Sequence, residues 1–85
     1  MVLKVNIEYC SACGYFPRMK EIERAIQKEF PTAKVTGEGG RSKSFEVTIN
    51  GELVHSKLTS GKFVNPPVIV EAAKAIAAKQ AAAAE

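Results

Sequence analysis

Val2-Leu3-Lys4-Val5-Asn6-Ile7-Glu8-Tyr9-Cys10-Ser11-Ala12-Cys13-Gly14, residues 2–14, joins an alternating stretch to a pair of cysteines. Leu3, Val5 and Ile7 alternate with Lys4, Asn6 and Glu8, the period of a strand with one face on a core. The small residues around the cysteines break that alternation and predict a turn. Beyond it Met19, Ile22, Ile26 and Phe30 recur every three or four residues, while Lys20, Glu21, Glu23, Arg24, Lys28 and Glu29 fill the other faces. That spacing predicts an amphipathic helix. Pro17 suits its first turn, where no backbone donor is needed, and Pro31 ends it by disfavouring helical geometry in Phe30. Cys10 and Cys13 therefore fall at a strand-to-helix junction.

Working outward, Ala33 to Thr36 reads as a short strand around Val35, followed by a loop, Gly37-Glu38-Gly39-Gly40-Arg41. Phe45, Val47 and Ile49 alternate with Glu46 and Thr48, Asn50-Gly51 supplies two residues that tolerate positive φ, and Glu52 to Ser56 returns: a β-hairpin. A long loop containing Ser60-Gly61 leads to Asn65 as N-cap, Pro66 and Pro67 in a first helical turn, and Ile69, Ala73 and Ile76 on one helix face. Residues 80–85, alanine-rich and without a large apolar side chain to dock, are expected to fray. The order β-α-β-β-β-α, a right-handed βαβ unit followed by a hairpin and a closing helix, predicts an α/β (α+β) thioredoxin-like fold. Its four-stranded mixed sheet would carry two helices, in a single domain spanning 1–85.

Composition bounds the function. Of 85 residues, 46% are hydrophobic and 25% charged, the balance of an average globular protein. No apolar run reaches the length of a bilayer span, and the alternating start lacks the pattern of a cleaved leader, so a cytoplasmic chain without membrane partners is expected. The net charge of +3 comes from twelve basic residues scattered from Lys4 to Lys79, which argues against a nucleic-acid surface; a monomer is expected. Two cysteines are too few for a secreted disulfide framework, and a link across two residues closes a loop too short to constrain the unfolded chain. A structural staple is thus the poorer explanation of the pair.

A disulfide needs Cα atoms about 4.4–6.8 Å apart, so two intervening residues suffice only where the chain turns. Small neighbours leave the sulfurs reachable, and unpaired amides at a nearby helix start favour a thiolate. A fall in thiol pKa from about 8.5 to about 7 would raise the reactive fraction at neutral pH from roughly 3% to half. Pro17 sets the helix start beyond Cys13 and weakens this help. The competing reading, zinc, needs about four ligands, and His55 is the only further histidine or cysteine, so a metal would have to be shared in a dimer. Cys10 and Cys13 are the candidate catalytic residues, with no tightly bound cofactor and no metal.

Three stretches extend the pattern: Tyr9-Cys10-Ser11-Ala12-Cys13-Gly14-Tyr15; Glu29-Phe30-Pro31 with Gly37-Glu38-Gly39; and Phe45-Glu46-Val47 through Gly51-Glu52-Leu53-Val54-His55-Ser56-Lys57. In these the chain resembles the selenoprotein W, T and H family of small thioredoxin-like proteins over nearly its whole length. Selenium-containing relatives carry selenocysteine at the second redox position, where this chain has Cys13. The resemblance implies Cys13 as the attacking group and Cys10 as the resolving thiol; general thioredoxin logic points to Cys10 as the attacker instead. It also implies a cytosolic antioxidant or thiol-exchange role with glutathione as co-substrate and thiol-containing proteins as partners. Two departures stand out: no proline precedes Phe45, and there is no third cysteine.

The expected activity is therefore that of a thiol oxidoreductase. A redox-gated interaction module without turnover is the alternative. His55 could serve as a base, though nothing in the sequence brings it to the cysteines. The glycines at Gly39-Gly40 lack the lysine and hydroxyl of a phosphate loop. Tyr15 and Phe16 form either an apolar rim for a partner or part of the core. Arg41, Lys43, Lys57 and Lys62 could draw acidic partners or the carboxylates of glutathione, against a default of plain solvation.

Overall fold

The computed structural model describes residues 3–83, with side chains described through Lys79. In chain order it contains β1 (Lys4–Tyr9), α1 (Phe16–Glu29), β2 (Lys34–Gly39), β3 (Phe45–Ile49), β4 (Glu52–Ser56), α2 (Lys57–Ser60) and α3 (Pro66–Ala83). The strands form one mixed sheet in the order β2-β1-β3-β4, with β1 parallel to β2 and antiparallel to β3, and β3 antiparallel to β4.

Alternation decides what each face does. Val5 lies opposite Ile49, Ile7 opposite Val47 and Tyr9 opposite Phe45, so the apolar residues of the two central strands share a face. Met19, Ile22 and Ile26 of α1 and Ile69, Val70 and Ala73 of α3 complete the core over it. Fully burying one such aliphatic side chain is worth about 1.5–3 kcal/mol, a large share of the roughly 4–13 kcal/mol that holds a chain of this size folded. The opposite face is polar: the Asn6 side-chain amide donates to Glu38 at 3.2 Å and the Thr36 hydroxyl donates to the Asn6 side-chain oxygen Oδ1 at 3.3 Å. Cross-strand pairs of this kind stabilise a solvated sheet face.

The hairpin turns where expected. Asn50 and Gly51 adopt φ of 51° and 84°, and the Asn50 side chain accepts the Lys4 amide at 2.8 Å, tying the turn to β1. The β3–β4 register shifts between Val47, opposite His55, and Thr48, opposite Leu53, which leaves Val54 as the extra residue of a bulge.

Two expectations need correction. The second strand does not stop at Thr36: β2 runs through Gly37, Glu38 and Gly39, which pair with Ile7, Glu8 and Tyr9. Parallel pairing overrides the weak strand propensity of glycine. Gly37 also admits Met19, whose Cε would lie 2.7 Å from a Cβ at that position. The count of two helices becomes three among the described residues, because Lys57–Ser60 in the long loop forms one helical turn. The Ser56 hydroxyl accepts the Thr59 amide at 3.2 Å at its start, and Gly61, at φ 74°, donates to the Lys57 carbonyl at 2.7 Å at its end. One turn is too short to leave a periodic signature.

The last helix begins as expected, with the Asn65 carbonyl accepting the Val68 amide at 3.0 Å. Its backbone is helical through Ala83; the expectation of fraying over 80–85 extends to Ala84 and Glu85, which lie outside the described residues. No helix among the described residues is long and apolar enough to cross a membrane.

Candidate redox site

Cys10 and Cys13 are joined by a disulfide with their Cα atoms 5.3 Å apart. The backbone geometry follows from how β1 ends. The Cys10 amide donates to the Ser44 carbonyl at 2.9 Å, and the Gly40 amide donates to the Tyr9 carbonyl at 2.8 Å, so the strand is held on both sides up to the first cysteine. The chain then turns tightly, with the Cys13 amide on the Cys10 carbonyl at 3.3 Å and the Gly14 amide on the Ser11 carbonyl at 3.2 Å. Gly14 closes the turn at φ 75°, a conformation glycine adopts without steric cost. Helix α1 starts at Phe16, with Pro17 as its second residue, three positions past Cys13.

The two sulfur-bearing residues differ sharply in access. Cys10 is 3% exposed and packed with the core, whereas Ser11, Ala12 and Cys13 are exposed. Of the two, Cys13 is the one open to solvent. Beside the turn, β2 comes close enough that a Cβ on Gly39 would lie 3.3 Å from the Ser11 hydroxyl. Ser44, in the position before β3, is fully buried, and its hydroxyl has no hydrogen-bond partner among the described residues.

Glu8 and Glu46 lie directly opposite each other on β1 and β3, beneath this end of the sheet. Arg41 grips Glu8 with its Nε at 2.9 Å, its Nη2 at 3.2 Å and its own amide at 2.8 Å, while its Nη2 lies 3.9 Å from Glu46. The Arg41 side chain and then its amide pull the Glu8 carboxyl down to about 2. Glu46 is 7% exposed; burial alone would raise its pKa, but hydrogen bonds from Ser56, Leu58, Lys57 and Phe45 outweigh that and hold it below the usual value. Two of those donors are the first amides of α2, so Glu46 anchors that turn to the sheet.

A second wall is aromatic and cationic. Half-buried Tyr15 packs edge-on against Phe63, ring centroids 4.7 Å apart, and Phe63 packs in turn on Phe45 at 5.4 Å. The Arg18 guanidinium lies 4.2 Å above the Phe63 ring, and the Lys57 ammonium lies 5.3 Å from Phe63 and 5.4 Å from Tyr15. Phe16, 49% exposed, leans on Tyr9 at 6.0 Å.

Of the residues singled out in the sequence, the fold brings Tyr15 and Phe16 next to the redox turn, Tyr15 joining the core edge and Phe16 facing solvent. Lys57 belongs to the aromatic cluster. Arg41 is committed to Glu8. His55 lies on β4, two strands from β1, with its Nε2 2.9 Å from the Lys62 carbonyl. Sequence reading missed Phe63, Arg18, Ser44 and the opposed pair Glu8 and Glu46. Only Phe63 carried a signal, as the one aromatic residue between the hairpin and the last helix.

Fold and site together define a thioredoxin-like protein with a Cys-x-x-Cys disulfide at the end of its first strand. A selenoprotein W-related protein from Vibrio cholerae has the same fold, with a TM-score of 0.83 at 18% identity over 89% of this chain and 98% of its own. The chain belongs to the Rdx family, whose model matches residues 4–75. It is 40% identical over 68 residues to selenoprotein W of Danio rerio, covering 76% of this chain and 79% of that one. To selenoprotein W of Gallus gallus it is 36% identical over 85 residues, covering 96% and 98%. It is 33% identical over 70 residues to migration and invasion enhancer 1 of Bos taurus, covering 82% of this chain but only 61% of that protein's length.

Proposed function

We infer that the chain is a small thiol–disulfide exchange protein in which Cys13 meets the partner and Cys10 resolves the mixed disulfide. The observation carrying this reading is the contrast between a bonded, exposed Cys13 and a bonded, buried Cys10. In the dithiol state the Cys13 thiolate attacks one sulfur of a partner disulfide and releases the other as a thiolate. The Cys10 sulfur, losing its proton to solvent, then attacks Cys13, forms the internal bond and frees the second partner thiol. The partner gains two electrons and the pair loses two.

Glutathione would return the pair to the dithiol, its thiolate attacking exposed Cys13 and a second glutathione completing the reduction. Such opening and closing suits the cytoplasm, where disulfides that form are mostly transient and redox-active. The test is single-turnover exchange of the reduced protein with glutathione disulfide. Cys10→Ser is expected to stop at a stable one-to-one adduct on Cys13, and Cys13→Ser to slow exchange at least about a hundredfold. Equal rates in the parent and Cys13→Ser would refute the assignment. Redox-dependent partner capture without any exchange would instead make the chain a redox-gated interaction module.

A further inference from the structure

We propose that the cluster of Tyr15, Phe63, Arg18 and Lys57 selects partner cysteines flanked by acidic residues. The proposal rests on the exchange chemistry of Cys13 given above and adds the class of protein segment that chemistry acts on.

Position comes first. Tyr15 is two residues beyond Cys13, so its Cα lies within about 7 Å of the Cys13 Cα. A partner chain with its own sulfur on Cys13 has its neighbouring residues within reach of this wall, since two or three extended residues cover about 7–10 Å. The cations there have no carboxylate of a described residue within ion-pair distance. Among the described residues, Arg18, Lys43, Lys57 and Lys62 form no ion pair, whereas Arg41 is neutralised by Glu8 and Lys20 by Glu23.

These cations are also held in place. Arg18 and Lys57 lie over the same Phe63 ring from two different elements, and the Lys57 ammonium reaches the Lys43 carbonyl at 3.5 Å. Attraction to ring faces limits the rotamer freedom that makes surface ion pairs weak. A carboxylate arriving here finds fixed positive charge, with aromatic surface that excludes water on one side. Since the two reacting sulfurs are chemically alike in every partner, discrimination must come from such neighbours, and charge complementarity acts mainly on the rate of encounter.

The test uses disulfide-linked dimers of short single-cysteine peptides whose cysteine is flanked by glutamates, by glutamines or by lysines, each reacted with the fully reduced protein. For each peptide the parent rate is divided by that of Arg18→Gln/Lys57→Gln, which cancels the peptide's own reactivity. The quotient is expected to be about tenfold or more larger for the acidic than for the basic peptide. The difference should shrink as salt rises from about 0.01 M to about 1 M, where the screening length falls from about 30 Å to about 3 Å. Lys34→Gln, at the far end of the sheet from the cysteines, should leave the acid-over-base preference unchanged. Equal quotients for all three peptides, or a preference equally sensitive to Lys34, overturn this proposal while leaving the exchange reaction standing. No exchange with any peptide or with glutathione disulfide overturns the exchange reading and this proposal with it.

Discussion

Replacing Glu46 by glutamine should cost stability, because four donors are arranged around the buried carboxylate. The Glu46 carboxylate is 7% exposed and accepts from the Ser56 hydroxyl, from the Lys57 amide at 2.8 Å, the Leu58 amide at 3.3 Å and the Phe45 amide at 3.4 Å. Glutamine keeps the shape and one acceptor oxygen but turns an amide group toward donors that need an acceptor. One or two buried donors are then left unpaired, each costing about 1–3 kcal/mol, so we expect a loss of about 2 kcal/mol. In a domain of this size that lowers Tm by about 8–16 °C. Urea and thermal unfolding of the oxidised protein measure it directly, with Glu38→Gln on the exposed face as a control expected to stay within about 0.5 kcal/mol.

The pH dependence supplies an independent check. A carboxyl whose pKa is lower folded than unfolded stabilises the fold fully above its ordinary value of 4.5, and the contribution fades as pH falls through the folded value. The gap between parent and Glu46→Gln should therefore be widest near neutrality and narrow in acid. A variant as stable as the parent at pH 7, or a gap unchanged at pH 3, would refute the view of Glu46 as an ionised anchor.

Three further outcomes can be checked by the same unfolding measurements. Glu8, held at about 2 against an ordinary 4.5, contributes stability that is lost between about pH 5 and pH 2, so Glu8→Gln should flatten the acid limb of the stability curve; an unchanged slope would count against the Arg41 pair. Gly40→Ala should destabilise by about 1–3 kcal/mol, because a Cβ there overlaps the Glu8 side chain well before its flexible end, and a neutral result would mean the loop yields. Ser44→Ala should change the stability of the oxidised protein by less than about 1 kcal/mol, since its buried hydroxyl has no partner within hydrogen-bond distance among the described residues and only helps, from further off, to lower the Glu8 carboxyl; a larger cost would reveal a full bond to that hydroxyl.

What could be read from the sequence was local. The alternation from Leu3 to Ile7, the helical spacing from Met19 to Ile26 and the Asn50-Gly51 turn each need only a few neighbouring residues to be recognised, and each is found in place. The cysteine spacing was equally legible because the turn that closes it lies between the two residues. The remainder depends on partners distant in the chain. Gly37 and Gly39 become strand only because Ile7 and Tyr9 pair with them, and Lys57–Ser60 becomes helix with help from Glu46, eleven residues before its start on another element. In sequence Glu46 reads as the solvent-facing member of an alternating strand. Nothing local separates it from Thr48, although one is a buried anchor and the other is half-buried.

That distant anchoring ties stability to selectivity. Lys57 is both the first residue of α2, with its amide on Glu46, and the cation shared by Tyr15 and Phe63 beside the redox turn. Loosening α2 lets its ammonium leave the rings without touching either cysteine. Glu46→Gln, studied at pH 7 and at a temperature where it is still fully folded, should therefore lose part of the preference for acid-flanked peptides. The size of the loss should approach that of Lys57→Gln alone. Adding Lys57→Gln to Glu46→Gln should then do little more, because both changes remove the same placed ammonium and their effects are coupled rather than independent. Two independent losses that simply add would show that the Lys57 side chain finds the aromatic rings without help from the buried carboxylate, and the proposed link between sheet, short helix and redox turn would be wrong.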